Sequence, residues 1–313
     1  MPVQNLEYPK QPFSTVRRYD SRASYSLEQI HQIINTSLLV NVSFTVPDTP
    51  FPQTLPMIGQ MGSFDRPSAD TGDVLELYLH GYVSSRIMNL SRKKDGDKKD
   101  GGKKDGDKKE TGDEAPPVAA AAAAAAAAEH SQPEPVGLPI TVAASHVDGL
   151  VLSLTPNSHS YNYRSATLFG YATPVTDVAE KLWAMELMTN SVVRDRWRNT
   201  RAPPNGAEMQ STSVLKVKIV AGSGKIRSGF PSDDKADAGD EALLDRVWTG
   251  VVPVHTTLGE PTPSPYNRVD PVPGYLVDYV KGTNKYAEET ALEQMTKPMG
   301  PKAKTDSRDT VMD

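Results

Sequence analysis

From Arg92 to Glu114 the chain repeats Lys-Lys-Asp-Gly without an apolar side chain, and an alanine run at 119–128 follows before Pro133 and Pro135. Such a segment has nothing to bury and is expected to be disordered over residues 92–135. The alanines could form a transient helix, but one with no amphipathic face. Whatever folds must therefore accept a long insertion between two of its elements. A loop between strands tolerates this, because closure entropy grows slowly with loop length. The interleaved aspartates cancel the field of the lysines, so no nucleic-acid partner is expected there.

Of the 313 residues, roughly 220 remain once this segment and a polar C-terminal stretch are set aside, enough for one large domain or two small ones. A net charge of −5 and a pI near 5.7 give no general pull toward nucleic acid or anionic lipid. Cysteine is absent, which excludes disulfides, thiolate metal sites and cysteine nucleophiles. Met1–Lys10 has neither the apolar core nor the cleavage pattern of a secretory leader. No run approaches the ~20 apolar residues of a membrane span. A soluble, cytoplasmic protein with no membrane partner is expected.

Residues 1–23 read as an extended arm. Ser26-Leu-Glu-Gln29 is a capping-box pattern that opens a short helix with Leu27, Ile30 and Ile34 on one face. Residues 38–44 and 53–61 read as a hairpin across Pro47-Asp-Thr-Pro50, with Pro56 marking an edge or a bulge. Gly59 and Gly62 would let a ligand approach the backbone. At 74–80, Leu75, Leu77 and Leu79 alternate with Glu76, Tyr78 and His80, the period of a half-buried strand with His80 on its polar face. Ser84 or Ser85 then caps a helix bearing Ile87, Met88 and Leu90, and its free N–H groups beside Arg86 suit a phosphate.

Beyond the insertion, 138–144 and 149–154 read as two strands or one bent strand, and 166–175 as another. Asp177-x-x-Glu180 caps a helix with a stripe of Val178, Leu182, Met185 and Met188. Residues 194–210 read as a polar loop, 215–229 as a strand and 247–254 as a short last element. The order lacks βαβ alternation, which argues against a Rossmann sheet and for a small, closed or nearly closed β-barrel with flanking helices.

No complete catalytic motif is present. Ser145-His146-x-Asp148 has the letters of a hydrolase triad without a nucleophile elbow. The histidines lack metal-site spacing, and Gly222-Ser-Gly-Lys225 lacks the spacing of a phosphate-binding P-loop. What remains are polar groups on strand ends: Ser84, Ser85 and Arg86; Asn162, Arg164 and Ser165; Lys225 and Arg227.

Several segments together resemble the pyridoxamine 5′-phosphate oxidase-like flavoproteins of the split-barrel superfamily, in the branch with nitroimidazole-resistance proteins and fungal flavin-nucleotide-binding relatives. They are Leu55-Pro-Met-Ile58, Leu77-Tyr-Leu-His80 with Ser84-Ser-Arg86, Asp148-Gly-Leu-Val-Leu152, His159-Ser-Tyr-Asn-Tyr-Arg-Ser165 with Gly170, Lys225-Ile-Arg227, and Trp248-Thr-Gly-Val-Val-Pro253. The resemblance implies a mainly β fold with flanking helices, a six-stranded split β-barrel over 24–257, followed by a mostly irregular tail at 258–313. It implies a homodimer with FMN at the interface, FAD and haem being the alternatives. By it, Ser84, Ser85 and Arg86 hold the flavin phosphate, and Met57, Ile58, Gly59 and Gln60 run along the ring. His80 stands beside the cofactor as the candidate catalytic residue, and Arg164 and Ser165 supply further contacts. Ile87 stands where the oxidases often carry lysine. The activity implied is flavin-dependent electron transfer to a small acceptor, a nitroaromatic or quinone, with a non-catalytic flavin- or haem-binding module as the rival.

Overall fold

The computed structural model describes residues 6–96 and 136–297. The strands are β1 (Ala23–Ser24), β2 (Val40–Phe44), β3 (Gln53–Met57), β4 (Gly59–Gly62), β5 (Glu76–Tyr82), β6 (Leu138–Leu152), β7 (Ser160–Pro174), β8 (Thr212–Arg227) and β9 (Gly250–Pro253). The helices are α1 (Leu27–Thr36), α2 (Arg86–Gly96), α3 (Val178–Val192), α4 (Gly206–Ser211), α5 (Glu241–Leu244) and α6 (Gly274–Thr296).

All strands join one antiparallel sheet in the order β3-β2-β6-β7-β8-β5-β4, with β1 added beside β8 and β9 beside β6. The two ends of this order are consecutive in the chain, separated only by Ile58. Residues 53–57 pair with β2 and residues 59–62 pair with β5. A single bent strand thus serves both edges, and the sheet must curl to let it. Counted this way six strands surround the core, and the ladder is split rather than closed, as expected of a split barrel.

Alternation decides what fills the interior. Val40, Val42 and Phe44, then Leu77 and Leu79, Leu138, Ile140 and Val142, Leu168, and Leu215 and Val217 all point inward and are buried. α1 adds Ile30, Ile33 and Ile34 to this core, and α2 adds Ile87 and Met88. Ser26 caps α1 by accepting from the Gln29 N–H. β6 is one strand with a register shift between Val147 and Gly149.

α3 covers the outer face of β4, β5 and β8, its N-terminus capped by Asp177, which accepts from the Glu180 N–H. The predicted stripe shifts: Val178 is exposed, while Ala184 and Met188 are buried. The indole of Trp183 causes this, packing edge-on against Tyr78 at 5.1 Å between centroids. Under the same helix the Tyr78 hydroxyl donates to Glu180 at 2.8 Å, and Lys216 Nζ reaches the same carboxylate at 2.7 Å.

Three boundaries differ from expectation. α2 runs to Gly96, so the first repeats of the charged segment continue a helix begun by apolar residues; the rest of the predicted disordered insertion lies outside the described residues. The polar loop 194–210 ends in α4, fixed by a reciprocal capping box of Asn205 and Glu208. Within the described part of the tail, α6 occupies Gly274–Thr296. Its fully buried positions, Ala291 and Gln294, are small or polar, and the larger Leu276, Val277 and Val280 of its first turns are only half-buried, so a search for apolar periodicity passes over it.

The N-terminal arm is held by a buried histidine. His31 Nδ1 donates to the Thr71 carbonyl at 2.8 Å, which leaves Nε2 to accept from the Tyr8 hydroxyl at 2.6 Å. Burial lowers the His31 pKa to about 4. The unfolded chain takes up this proton near pH 6.5 and the folded one does not, so stability is full above that pH and falls below it. From pH 7 to pH 5 the loss is about 2 kcal/mol. His31→Gln is expected to flatten the pH dependence of urea denaturation over this range by that amount. A second expectation concerns Gly170, where a Cβ would stand 2.5 Å from the Lys218 carbonyl oxygen. Gly170→Ala must displace backbone and should cost about 1–3 kcal/mol, read as a lower urea midpoint.

Candidate functional site

The split strand brings together residues that the sequence keeps apart. At the break the Ile58 carbonyl accepts from the His80 N–H at 3.1 Å, and the ladder continues with Gly59 opposite Leu79 and Gln60 opposite Tyr78. Residues paired across strands share a face. Ile58 and Gln60 therefore stand on the outer face with Tyr78 and His80, while Met57 and Gly59 turn into the core. Because 53–57 and 59–62 pair on opposite sides, the strand has an unpaired edge on each side of the break. Part of it is covered by Asn35, whose Oδ1 accepts from the Met61 N–H at 2.7 Å.

Gly59 has a different use from the one expected. A Cβ there would lie 2.8 Å from both Leu79 Cδ2 and Val40 Cγ2. Its missing side chain makes room for the core rather than for a ligand. At Gly62 a Cβ would meet Leu187 at 2.9 Å and Trp183 at 3.0 Å under α3.

β5 leaves the sheet at Tyr82, turns through Ser84 and enters α2. The Ser85 N–H donates to the Tyr82 carbonyl at 2.9 Å, and the Ser85 carbonyl accepts from Asn89 N–H at 3.1 Å, which makes Ser85 the N-cap. Its hydroxyl does not cap: Oγ is buried with no hydrogen-bond partner. Ser84 and Arg86 line a cavity of about 490 Å³ with Asn89, Leu90 and the β2–β3 turn Val46–Thr49. Arg86 makes no ion pair among the described residues. Its charge and the free N–H groups of α2 favour an anion here; Asp48, in the same wall, opposes one. Ile87 is fully buried, so its position offers the cavity no cation. His80 is exposed at the neighbouring strand end, and partial desolvation holds its pKa below the usual imidazole value, favouring the neutral ring.

Arg164 and Ser165 lie elsewhere. Arg164 donates to both oxygens of Asp148 at 2.8 and 2.9 Å, and Ser165 Oγ donates to the Lys225 carbonyl at 3.0 Å. Along β8, Tyr82 is level with Thr212 and Ser165 with Lys225. Ser84–Arg86 therefore stand at the other end of β8 from Ser165. The Met57 end of the split strand is nearer to it by the other way round the barrel, since Met57 pairs with Val40, Asn41 with Ala143, and Ala144 with Ala166. Ser145, His146 and Asp148 form no triad either, since His146 Nε2 bonds Ser37 Oγ at 3.0 Å while Asp148 is engaged by Arg164.

The Val46–Thr49 wall and Asn35 were not singled out by the sequence. The turn signal Pro47-Asp-Thr-Pro50 was legible, but nothing in it says that the turn faces the start of α2.

Residues 118–226 match the family model described as pyridoxamine 5′-phosphate oxidase. No curated protein matches the chain. Among solved structures, the flavocytochrome Anf3 from Azotobacter vinelandii shares 22% identity, with a TM-score of 0.58, over 86% of this chain and 97% of that one. An FAD- and haem-binding protein from Mycobacterium smegmatis shares 23% identity, with a TM-score of 0.57, over 83% of this chain and 97% of that one. A 5-nitroimidazole antibiotic resistance protein from Bacteroides thetaiotaomicron shares 15% over 65% of this chain and 86% of that one, with a TM-score of 0.40. The matched segment carries β6, β7 and most of β8, and the first two structures share the fold of the whole barrel. The chain is thus similar to the pyridoxamine 5′-phosphate oxidase family over residues 118–226, and its fold is a split barrel.

Proposed function

We propose that this chain binds a flavin, FMN in the first instance, and serves as a flavin-dependent oxidoreductase in the form of a cytoplasmic homodimer. The observation that carries the reading is the convergence at one barrel end. Arg86, which makes no ion pair among the described residues, lines a cavity of about 490 Å³ with Ser84 and the Val46–Thr49 turn, and the next residue in the chain before it, Ser85, has a buried hydroxyl without a partner. That volume is in the range of cofactor sites. The orphaned Ser85 Oγ and the free Arg86 guanidinium suit a phosphate, so the residues present fit the group.

In this reading Arg86 and Ser84 hold the phosphate against the start of α2, with Ser85 Oγ as an added donor. The backbone around Ile58 and Gln60 lies along the ring, and His80 presents a neutral imidazole beside it. A bound flavin supplies two-electron transfer from a reductant such as NAD(P)H to a small nitroaromatic or quinone acceptor. The chain's own residues bind, orient and hold the hydrogen bonds at its polar edge. Arg164 and Ser165, engaged by Asp148 and by the Lys225 carbonyl, have no part in this set.

A second reading adds or substitutes haem. The two solved structures that resemble most of this chain are a flavocytochrome and an FAD- and haem-binding protein. The absorbance spectrum of the purified protein separates the readings. Flavin bands alone support the first, a Soret band supports the second, and a protein that neither carries flavin nor takes it up overturns both. Bleaching of the flavin by anaerobic NADPH or NADH is expected for an oxidoreductase; inertness to both would leave a non-catalytic module.

Arg86→Ala is expected to weaken flavin binding by roughly 10- to 100-fold, since a charge-assisted contact contributes about 1.5–3 kcal/mol. Titration of flavin fluorescence measures this, and unchanged affinity would remove Arg86 from the site.

A further inference from the structure

The far end of the barrel holds a concentration of positive charge that the flavin reading does not use. β7 and β8 end there with Tyr163 opposite Arg227 and Ser165 opposite Lys225. Two arginines at this level are treated differently. Arg164, opposite Ile226, is neutralised by a two-pronged pair with Asp148. Arg227, on the other face of the sheet, is 4% exposed. Its one hydrogen bond among the described residues runs from Nη1 to the side-chain carbonyl of Asn162. Asn162 is fixed in turn, since its Nδ2 donates to the Gly229 carbonyl at 3.0 Å. Among the described residues Arg227 thus has an amide to anchor it and no carboxylate to balance it.

More cations stand around it. Lys225 lies two residues earlier on the same face of β8, and Ala23 of β1 pairs with Lys225, which brings Arg22 alongside. The ring of Tyr19 collects three of them: Arg22 at 4.4 Å, Arg18 at 5.2 Å and Lys225 at 5.7 Å from its centroid. Arg18, Lys225 and Arg227 form no ion pair among the described residues. Burial and the neighbouring Arg22 both push the Arg227 pKa down, so the surroundings act against its charge. A buried guanidinium without a counter-charge is costly. Its planar fork matches an oxyanion that can take two parallel hydrogen bonds.

We propose that Arg227 and Lys225 form a binding site for a small oxyanion, the phosphate or carboxylate group of a ligand, distinct from the cavity at Arg86. The remaining donors of Arg227 take the anion. Lys225 closes on it from the same face of β8, and Tyr19 keeps Lys225 and Arg18 gathered at the mouth. The site belongs to the described chain alone and needs no flavin.

The test uses the full purified chain and two probes, inorganic phosphate and malonate, each against chloride at equal ionic strength. The thermal midpoint of the wild type is expected to rise with at least one probe, as binding to the folded state requires. The responding probe names the group, phosphate or carboxylate. Because phosphate can also load the Arg86 cavity, the comparison is made in the Arg86→Ala chain, where the rise should remain, a further Lys225→Ala should weaken the apparent affinity at least fivefold and Arg227→Met should abolish it. Should Arg227→Met fail to fold, Lys225→Ala and the double change with exposed Arg18→Ala decide. No rise with either probe overturns the proposal. So does a rise that Lys225→Ala leaves intact, or one lost in Arg86→Ala, which would place the anion at the other end.

Discussion

The hydrogen bond between the Ile58 carbonyl and the His80 N–H marks the hinge of the whole molecule. On one side of it the chain belongs to β2, and on the other to β5. A strand shared in this way can exist only if the sheet bends until its two ends meet. That bend defines an inside, where Leu, Ile, Val and Met side chains collect, and an outside, where Tyr78, His80 and Gln60 stand. It also leaves backbone groups near the break without a neighbouring strand, since any closed ladder would have satisfied them. The candidate site is a by-product of the way the barrel is joined.

Charge is handled differently at the two ends and on the flank. Under α3, Glu180 serves both Tyr78 and Lys216, so a cation and a phenol share one carboxylate. On β6 and β7, Asp148 and Arg164 form a paired unit of low exposure. These groups are balanced and serve to hold elements together. Arg86 at one end and Arg227 at the other lack a carboxylate among the described residues. The same sheet thus separates structural charge from charge left for something else, and does so between adjacent residues at Arg164 and Arg227.

The sequence was most informative where a period was clean. The alternation at 74–80 and 215–219 placed strands and faces correctly, and the caps at Ser26 and Asp177 began helices where the structure does. Local chemistry also showed that Ser84-Ser-Arg86 opens a helix. What a single chain of letters could not give was distance around the barrel. Arg164 and Ser165 looked like partners of Ser84–Arg86 because both groups sit at strand ends. Only the register shows that β5 runs into Ser84 at the Thr212 end of β8 while Ser165 lies at its Lys225 end. α6 was missed for another reason, since its fully buried positions, Ala291 and Gln294, are not large apolar side chains. Gly59 was misread because a glycine required by the core and a glycine required by a ligand are spelled alike.

Asn35 gives the split a mechanical side. Its carboxamide both accepts from the Met61 N–H and donates to the Met61 carbonyl, at 2.7 and 3.4 Å. This is what a residue of a neighbouring strand would do, so the side chain stands in for one missing peptide of the ladder. Bare edges invite foreign strands, and this substitute blocks one position of the edge while leaving those nearer Ile58 open. It also couples two elements that share no backbone ladder. α1, which carries Asn35, touches β4 and also β6, β7 and β8. A shift of that helix would be felt at the split as a gain or loss of one surrogate peptide, so α1 ties the split edge to the strands on which it packs.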